Sequence, residues 1–246
     1  MANPVMREGY FDGVSGASVS TDPMTLEGTV KKIGILFALV VGGAVLGWVV
    51  PNVGIMIATW IAAVVLSLII TFKPTTAPML APFHAISIGY GAGVVSLVTT
   101  EMLKGSKMEN LGVPVAVAGT LVTFGVMLFL YARKILRLNE TWKSVIMGAT
   151  AAVMVTYLFL GIASFAFPKW VGGMAIFGNG PIGIGFSILV IGLAAFNYLM
   201  DFDMIDRGIE NRAPKHMEWY GAFALVFTTV WLYLEILRLI NKLNRR

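Results

Sequence analysis

Two carboxylates in this sequence stand where a carboxylate is expensive. Asp201 follows Leu199-Met200 with no polar lead-in, and Glu235 lies in Trp231-Leu232-Tyr233-Leu234-Glu235-Ile236-Leu237-Arg238-Leu239-Ile240, enclosed by apolar residues on both sides. A charge at mid-bilayer depth costs about 2.5–3.5 kcal/mol on insertion scales, so an acid there marks a proton or cation site unless a local partner accounts for it. Local partners are available in both regions. Arg238 is three residues beyond Glu235, on the same helical face, and Asp203 precedes Arg207 by four, the spacing of a surface pair on a continuing helix. Asp206 is the third acid of the Asp201 segment.

The elements that must position these acids are membrane helices. Of the 246 residues 57% are hydrophobic and 13% charged, with a mean hydropathy of +0.82. A soluble domain carries about 25% charged residues. A chain this short cannot hide the difference in a core, because much of its surface stays exposed. A soluble enzyme and a nucleic-acid-binding module are thereby excluded, and an integral membrane protein is expected. After Lys31-Lys32 the apolar stretches are Ile33–Val50, Val53–Phe72, Met79–Val98, Val113–Tyr131, Val145–Phe165, Ile182–Met200 and Trp219–Ile240. Each has the length of about 18–23 residues that a bilayer requires. Runs such as Val53–Ile70 are apolar on every face, unlike the alternating strands of a barrel. The fold class predicted is an all-α integral membrane protein, a seven-transmembrane helix bundle forming one domain over 31–246. Residues 1–30, polar and without the basic start and apolar stretch of a signal peptide, are expected to be a retained, mostly disordered tail. The Gly-rich stretch Phe165–Gly180 fits a loop or a re-entrant segment. Gly43 and Gly47 in the first span, with Gly89 and Gly93 in the third, have the spacing of close helix contacts.

The net charge of +5 belongs to topology rather than to nucleic acid, since the basic residues sit between apolar blocks. Arg7, Lys31, Lys32, Lys73, Arg133, Lys134, Arg137, Lys143, Arg207, Arg212 and Lys215 fall on the N-terminal side, against Lys104, Lys107 and Lys169 opposite. A cytoplasmic N-terminus follows, although Arg238, Lys242, Arg245 and Arg246 at the C-terminal end argue the other way. No cysteine is present, so disulfides and thiolate chemistry are absent. His84 and His216 lack metal-ligand spacing, and His84 reads as a hydrogen-bonded interior residue. Without a Walker loop, G-x-S-x-G or H-E-x-x-H, no enzyme and no bound cofactor are expected. A retinal protein would need a Schiff-base lysine in its last helix, and Trp219–Ile240 holds none.

The segments Leu199-Met200-Asp201-Phe202-Asp203-Met204-Ile205-Asp206, Ala213-Pro214-Lys215-His216-Met217-Glu218-Trp219-Tyr220 and Val230–Leu239 resemble the transmembrane Bax inhibitor motif family, most of all its bacterial Bax inhibitor-1/YccA-like branch. The resemblance spans 31–240 and is most specific over 199–239. It implies six helices around a central seventh and a pH-sensitive Ca2+ leak in the cytoplasmic membrane. It also implies a gate made of one acid ending the sixth helix and one inside the seventh, here Asp201 and Glu235, which would also be the Ca2+ ligands. A basic residue closing the second helix, Lys73 here, would modulate the pair together with Arg238, with Asp203 and Asp206 as accessory acids. The chain departs from the family pattern in having Glu235 for the usual Asp, Lys73 for the commoner Arg, which loses bidentate pairing, and a longer connection between the last two helices.

Physics supplies a reason for such a pair. Two carboxylates sharing a low-dielectric site cannot both ionise cheaply, so the pair holds a proton. Protonated, they latch two helices by a hydrogen bond. Deprotonated, they repel and present hard oxygens suited to Ca2+. Glu235 stands sixteen positions beyond Trp219, about 24 Å along a helix, so the pairing requires the sixth helix to start later and continue toward Arg207, or the seventh to begin later than Trp219. The expected partners are the bilayer, Ca2+ and protons. The alternative is a non-transporting regulatory protein that binds a partner such as a membrane protease through its polar tail.

Overall fold

In the computed structural model, residues 22–136, 139–172, 174–176 and 178–244 are described. The seven long helices are α1 (Leu26–Val49), α2 (Val53–Phe72), α3 (Ala77–Met102, entered through a 3-10 turn at Pro74–Thr76), α4 (Gly112–Ala132), α5 (Glu140–Ala166), α6 (Pro181–Glu210) and α7 (Met217–Asn244). All seven are long and apolar enough to cross a bilayer. Among the described residues there is no strand, only an isolated bridge between Pro23 and Pro214. The protein is an all-α, multi-pass membrane protein. The connection before α6 holds one helical turn, Pro168–Gly172, followed by turns and bends.

Most helix ends differ from the apolar stretches, generally because helices outlast hydropathy, and three of the differences bear on the site. α1 begins at Leu26 rather than Ile33, since Thr25 caps it: its Oγ1 accepts from the Gly28 amide at 3.1 Å. The segment expected to be tail is therefore helical from Leu26, and residues 1–21 of that tail lie outside the described residues. α6 runs nine residues past Asp201 to Glu210. It stops where Arg212 takes a left-handed conformation (φ 49°), with the Ala213 amide donating to the Gly208 carbonyl at 2.9 Å and the Arg212 amide to that of Ile209 at 3.1 Å. Asp201 is thus inside a helix rather than at its end; α6 continues past Arg207 but starts at Pro181, before Ile182, and α7 starts at Met217, before Trp219, so neither later start that the pairing required is found. α7 extends to Asn244 and takes in Lys242, so the last helix does contain a lysine, two residues before its end.

Burial separates the helices into two kinds. The spans containing α3 and α7 are each 61% buried, against 11–33% for the other five. The seventh helix is interior as expected, and α3 shares that burial. The outer helices show apolar stripes, such as Val41, Val45 and Val49 of α1, each more than half exposed. In water such a surface would be a liability, and against lipid it is the solvated face.

The chain divides into two compact units, Met1–Leu97 with Asp201–Val230, and Val98–Met200 with Trp231–Arg246. In the first, α1 and α3 meet backbone to backbone. A Cβ on Gly43 or Gly47 would collide with the backbone at Ile86 and Tyr90, and one on Gly89 or Gly93 with the backbone at Val40 and Ala44. Lipid offers no hydrophobic drive to pair helices, so close packing of this kind supplies it. In the second unit, α6 is joined to α5 by Asn197 Nδ2, which donates to Thr150 Oγ1 at 2.8 Å, and to α4 by the edge-to-face rings of Tyr198 and Phe124.

The glycine contact yields a prediction. Gly89→Leu forces the two backbones apart and is expected to cost at least about 1–3 kcal/mol. Gly42→Leu, where a side chain meets nothing within 4 Å, should leave stability within about 0.5 kcal/mol. Thermal unfolding of the two variants in detergent checks the contrast.

Candidate functional site

In the first unit, Asp201 is half-buried on α6, and its Oδ2 accepts a hydrogen bond from Thr228 Oγ1 of α7 at 2.7 Å. The same face of α6 carries Ile205 and Gly208, four and seven residues on. Met24 lies against both of these and against Gly221, and forms a small buried cluster with Ile205 and Ala213. Asp203 pairs with Arg207 at 3.0 Å on the surface, as its spacing predicts, and Asp206 is exposed. Lys73, the basic residue expected beside the gate, is the exposed C-cap of α2. Its carbonyl accepts from Thr76 Oγ1 at 2.8 Å, and among the described residues Asp201 is not its ion-pair partner. His84 is buried, with Nε2 2.9 Å from Ser67 Oγ and its ring edge-on to Phe223, the interior role its sequence suggested.

A second acid of this unit, Glu218, is fully buried and was not singled out by sequence. Its Oε1 accepts from the Thr25 amide at 2.9 Å and from Thr25 Oγ1 at 2.8 Å, while Oε2 pairs with Lys32 Nζ. The Lys32 ammonium also lies over the Trp219 ring, 5.7 Å from its centroid. Alongside, the Met24 amide donates to the Ala213 carbonyl at 2.7 Å, and Lys215 Nζ to Asp22 Oδ1 at 2.8 Å. Residues 22–25 are thereby strapped to the connection between α6 and α7. That connection lies outside the spans. There the hydrogen bond to Asp22 raises the Lys215 pKa above its ordinary value, and burial lowers that of His216.

In the second unit, Glu235 is buried, 1% exposed. Its Oε1 accepts from Arg238 Nη1 at 2.6 Å, so the local pair suggested by spacing is formed. The same nitrogen donates to Tyr157 Oη of α5 at 2.7 Å, and the guanidinium lies 4.8 Å from the Tyr157 ring centroid. Glu235 Oε2 is buried without a hydrogen-bond partner among the described residues. Two turns beyond Glu235 on α7, Lys242 is buried and donates to the carbonyls of Ile176 and Gly183 and to Ser187 Oγ. Asp201 and Glu235 thus belong to different units, and each has a partner in its own. Among the described residues no group of three or more His, Asp or Glu could hold a metal ion.

Glu218 and Lys32 escaped sequence reasoning because 186 positions separate them. Lys242 escaped because it reads as one of four basic residues near the C-terminus. Tyr157 had no charge to draw attention in an apolar span.

The profile of the family described as Bax inhibitor 1 like matches residues 3–245, nearly the whole chain. The chain belongs to the Bax inhibitor-1-like family. No curated protein and no solved structure matches it. In this Bax inhibitor-1-like chain the two acids that the resemblance singled out, Asp201 and Glu235, are both in membrane-spanning helices and both engaged by side chains.

The buried pair of Glu218 and Lys32 generates a prediction. Removing Lys32 leaves the buried Glu218 carboxylate with the Thr25 donors and, at 3.9 Å, the Lys215 ammonium, so Lys32→Met is expected to lose about 1–3 kcal/mol. The double variant Lys32→Met/Glu218→Leu should recover most of that loss. Unfolding midpoints of the two variants, compared with wild type, check the sign of the coupling.

Proposed function

We propose that this protein is a pH-sensitive cation leak of the cytoplasmic membrane, permeable to Ca2+, whose gate is formed by Asp201 and Glu235. The observation that carries the reading is the state of Glu235: a carboxylate 1% exposed in a membrane-spanning helix, with one oxygen held by Arg238 and the other unpartnered. A buried oxygen left in that state is a place for a proton or a cation, and intramembrane acids are functional candidates for this reason. Thr228, which holds Asp201, precedes Glu235 by seven residues on α7.

In this reading protonation favours the latched arrangement of the acids, and deprotonation supplies repulsion and hard oxygen ligands. Arg238 sets the charge balance at Glu235. Lys73, exposed at the end of α2, and the accessory acids Asp203 and Asp206 act on the approach of ions rather than on the gate itself. The cytoplasmic placement of the N-terminus rests on the Lys and Arg distribution between the spans.

The test is Ca2+ flux into liposomes containing the purified protein, followed across pH. Wild type should show pH-dependent flux, and Glu235→Gln and Asp201→Asn should each hold the protein in its acid state at every pH. Flat traces for wild type at every pH overturn the reading. They leave the partner-binding regulator, whose activity would be lost on deleting residues 1–21, a truncation that keeps the strap of residues 22–25 and the start of α1. A control separates gating from acid lability. Burial depresses the His216 pKa below 6.5, so the stability its neutral form contributes is present above pH 6.5 and is lost as pH falls below it. His216→Gln should therefore flatten part of the acid loss of stability while leaving the pH dependence of flux unchanged.

A further inference from the structure

Among the charged side chains of α7, Lys242 stands apart. Glu218 is paired with Lys32, and Glu235 with Arg238, whereas every hydrogen-bond acceptor of Lys242 is neutral. Its ammonium is 2.7 Å from the Ile176 carbonyl, 2.9 Å from the Gly183 carbonyl and 3.0 Å from Ser187 Oγ. An ammonium has three N–H groups, and three oxygens take them. Lys242 is 4% exposed and Ser187 is fully buried, so little water shares the site.

The three oxygens form a built cradle. Gly183 and Ser187 lie on successive turns of α6, and Ile176 lies in the connection that precedes it. That connection can lie against α6 because residue 183 has no side chain: a Cβ there would run into the carbonyls of Gly178 and Ala175. Carbonyl and hydroxyl oxygens converging on one point are the ligands that replace the water shell of a monovalent cation in a selectivity filter. The spacing disfavours divalent ions, since Ca2+ takes oxygen at about 2.3–2.6 Å and Mg2+ at about 2.0–2.1 Å. A buried charge hydrogen-bonded only to neutral oxygens is stable when those oxygens are held in place, as these are by the packing at Gly183, and here Glu235 and Arg238 of the same helix add opposing charges nearby.

We propose that Ile176 O, Gly183 O and Ser187 Oγ form a monovalent-cation site of the ammonium class, and that the Lys242 ammonium is its resident, tethered cation. With the side chain removed, a free ammonium or methylammonium ion takes its place. The site stands or falls by binding, independently of whether the protein leaks Ca2+.

The test uses the full chain purified in detergent. Lys242→Ala removes the ammonium and its stem and leaves room for an ion, whereas Lys242→Met keeps a stem that fills the approach. Thermal unfolding is measured in the chloride salts of ammonium, methylammonium and choline at equal ionic strength. Both variants should unfold several degrees below wild type. Ammonium and methylammonium should restore most of that loss in Lys242→Ala, saturably, while choline does not, and wild type and Lys242→Met should not respond. Equal effects of methylammonium and choline on Lys242→Ala overturn the proposal and leave Lys242 as a structural tether only. A second measurement does not need that variant to fold. Amine labelling read by mass spectrometry should find Lys242 protected several-fold relative to exposed Lys104 in wild type, with the protection reduced in Ser187→Ala. Labelling of wild-type Lys242 as fast as Lys104 contradicts the cradle.

Discussion

A bare charge cannot be left inside a bilayer, and that constraint accounts for how each interior ionic group of this protein is held. The cost of desolvating an ion is offset only when its lone pairs or protons find partners. Glu218 is saturated by Lys32 and Thr25. Lys242 is satisfied by three neutral oxygens. Asp201 takes one hydroxyl donor. Glu235 differs in having a buried oxygen with no partner among the described residues, its other oxygen being bonded to Arg238. Saturated groups hold a fold, and an unsaturated one has capacity left to bind or to titrate. The function proposed for this protein therefore rests chiefly on Glu235.

The first unit shows how packing supports such a group's counterpart. Membrane helices lack a hydrophobic drive toward each other, so they associate where backbones can approach and where polar side chains reach across. Gly43, Gly47, Gly89 and Gly93 provide the approach between α1 and α3. The strap of residues 22–25 provides a different hold, with Met24 set against Ile205, Gly208 and Gly221. Those residues share helix faces with Asp201 and Thr228, since they precede or follow them by four or seven positions. The strap thus braces the two helix segments between which Asp201 and Thr228 are bonded.

The seven helices were legible because lipid demands about 20 apolar residues per crossing, a signal that composition cannot hide. Helix ends were less legible. Hydropathy stops at the last apolar residue, whereas capping by Thr25 and the left-handed stop at Arg212 decide where α1 and α6 end. Local pairs were readable from spacing alone, as with Asp203–Arg207 and Glu235–Arg238. Contacts between distant segments were not: nothing in the sequence links Lys32 to Glu218, and the carbonyls that hold Lys242 belong to every residue type alike. Asp201 and Glu235 were both visible as misplaced acids, but the joint role proposed for them comes from the family resemblance and not from spacing.

The central claim is that Glu235 carries an exchangeable proton within the membrane. Its most direct measurement is pH-dependent infrared difference spectroscopy on the protein in liposomes, comparing wild type with Glu235→Gln. The account predicts a protonated-carboxyl band that appears on acidification of wild type and is diminished in the variant. Wild-type and variant spectra that coincide at every pH would contradict it.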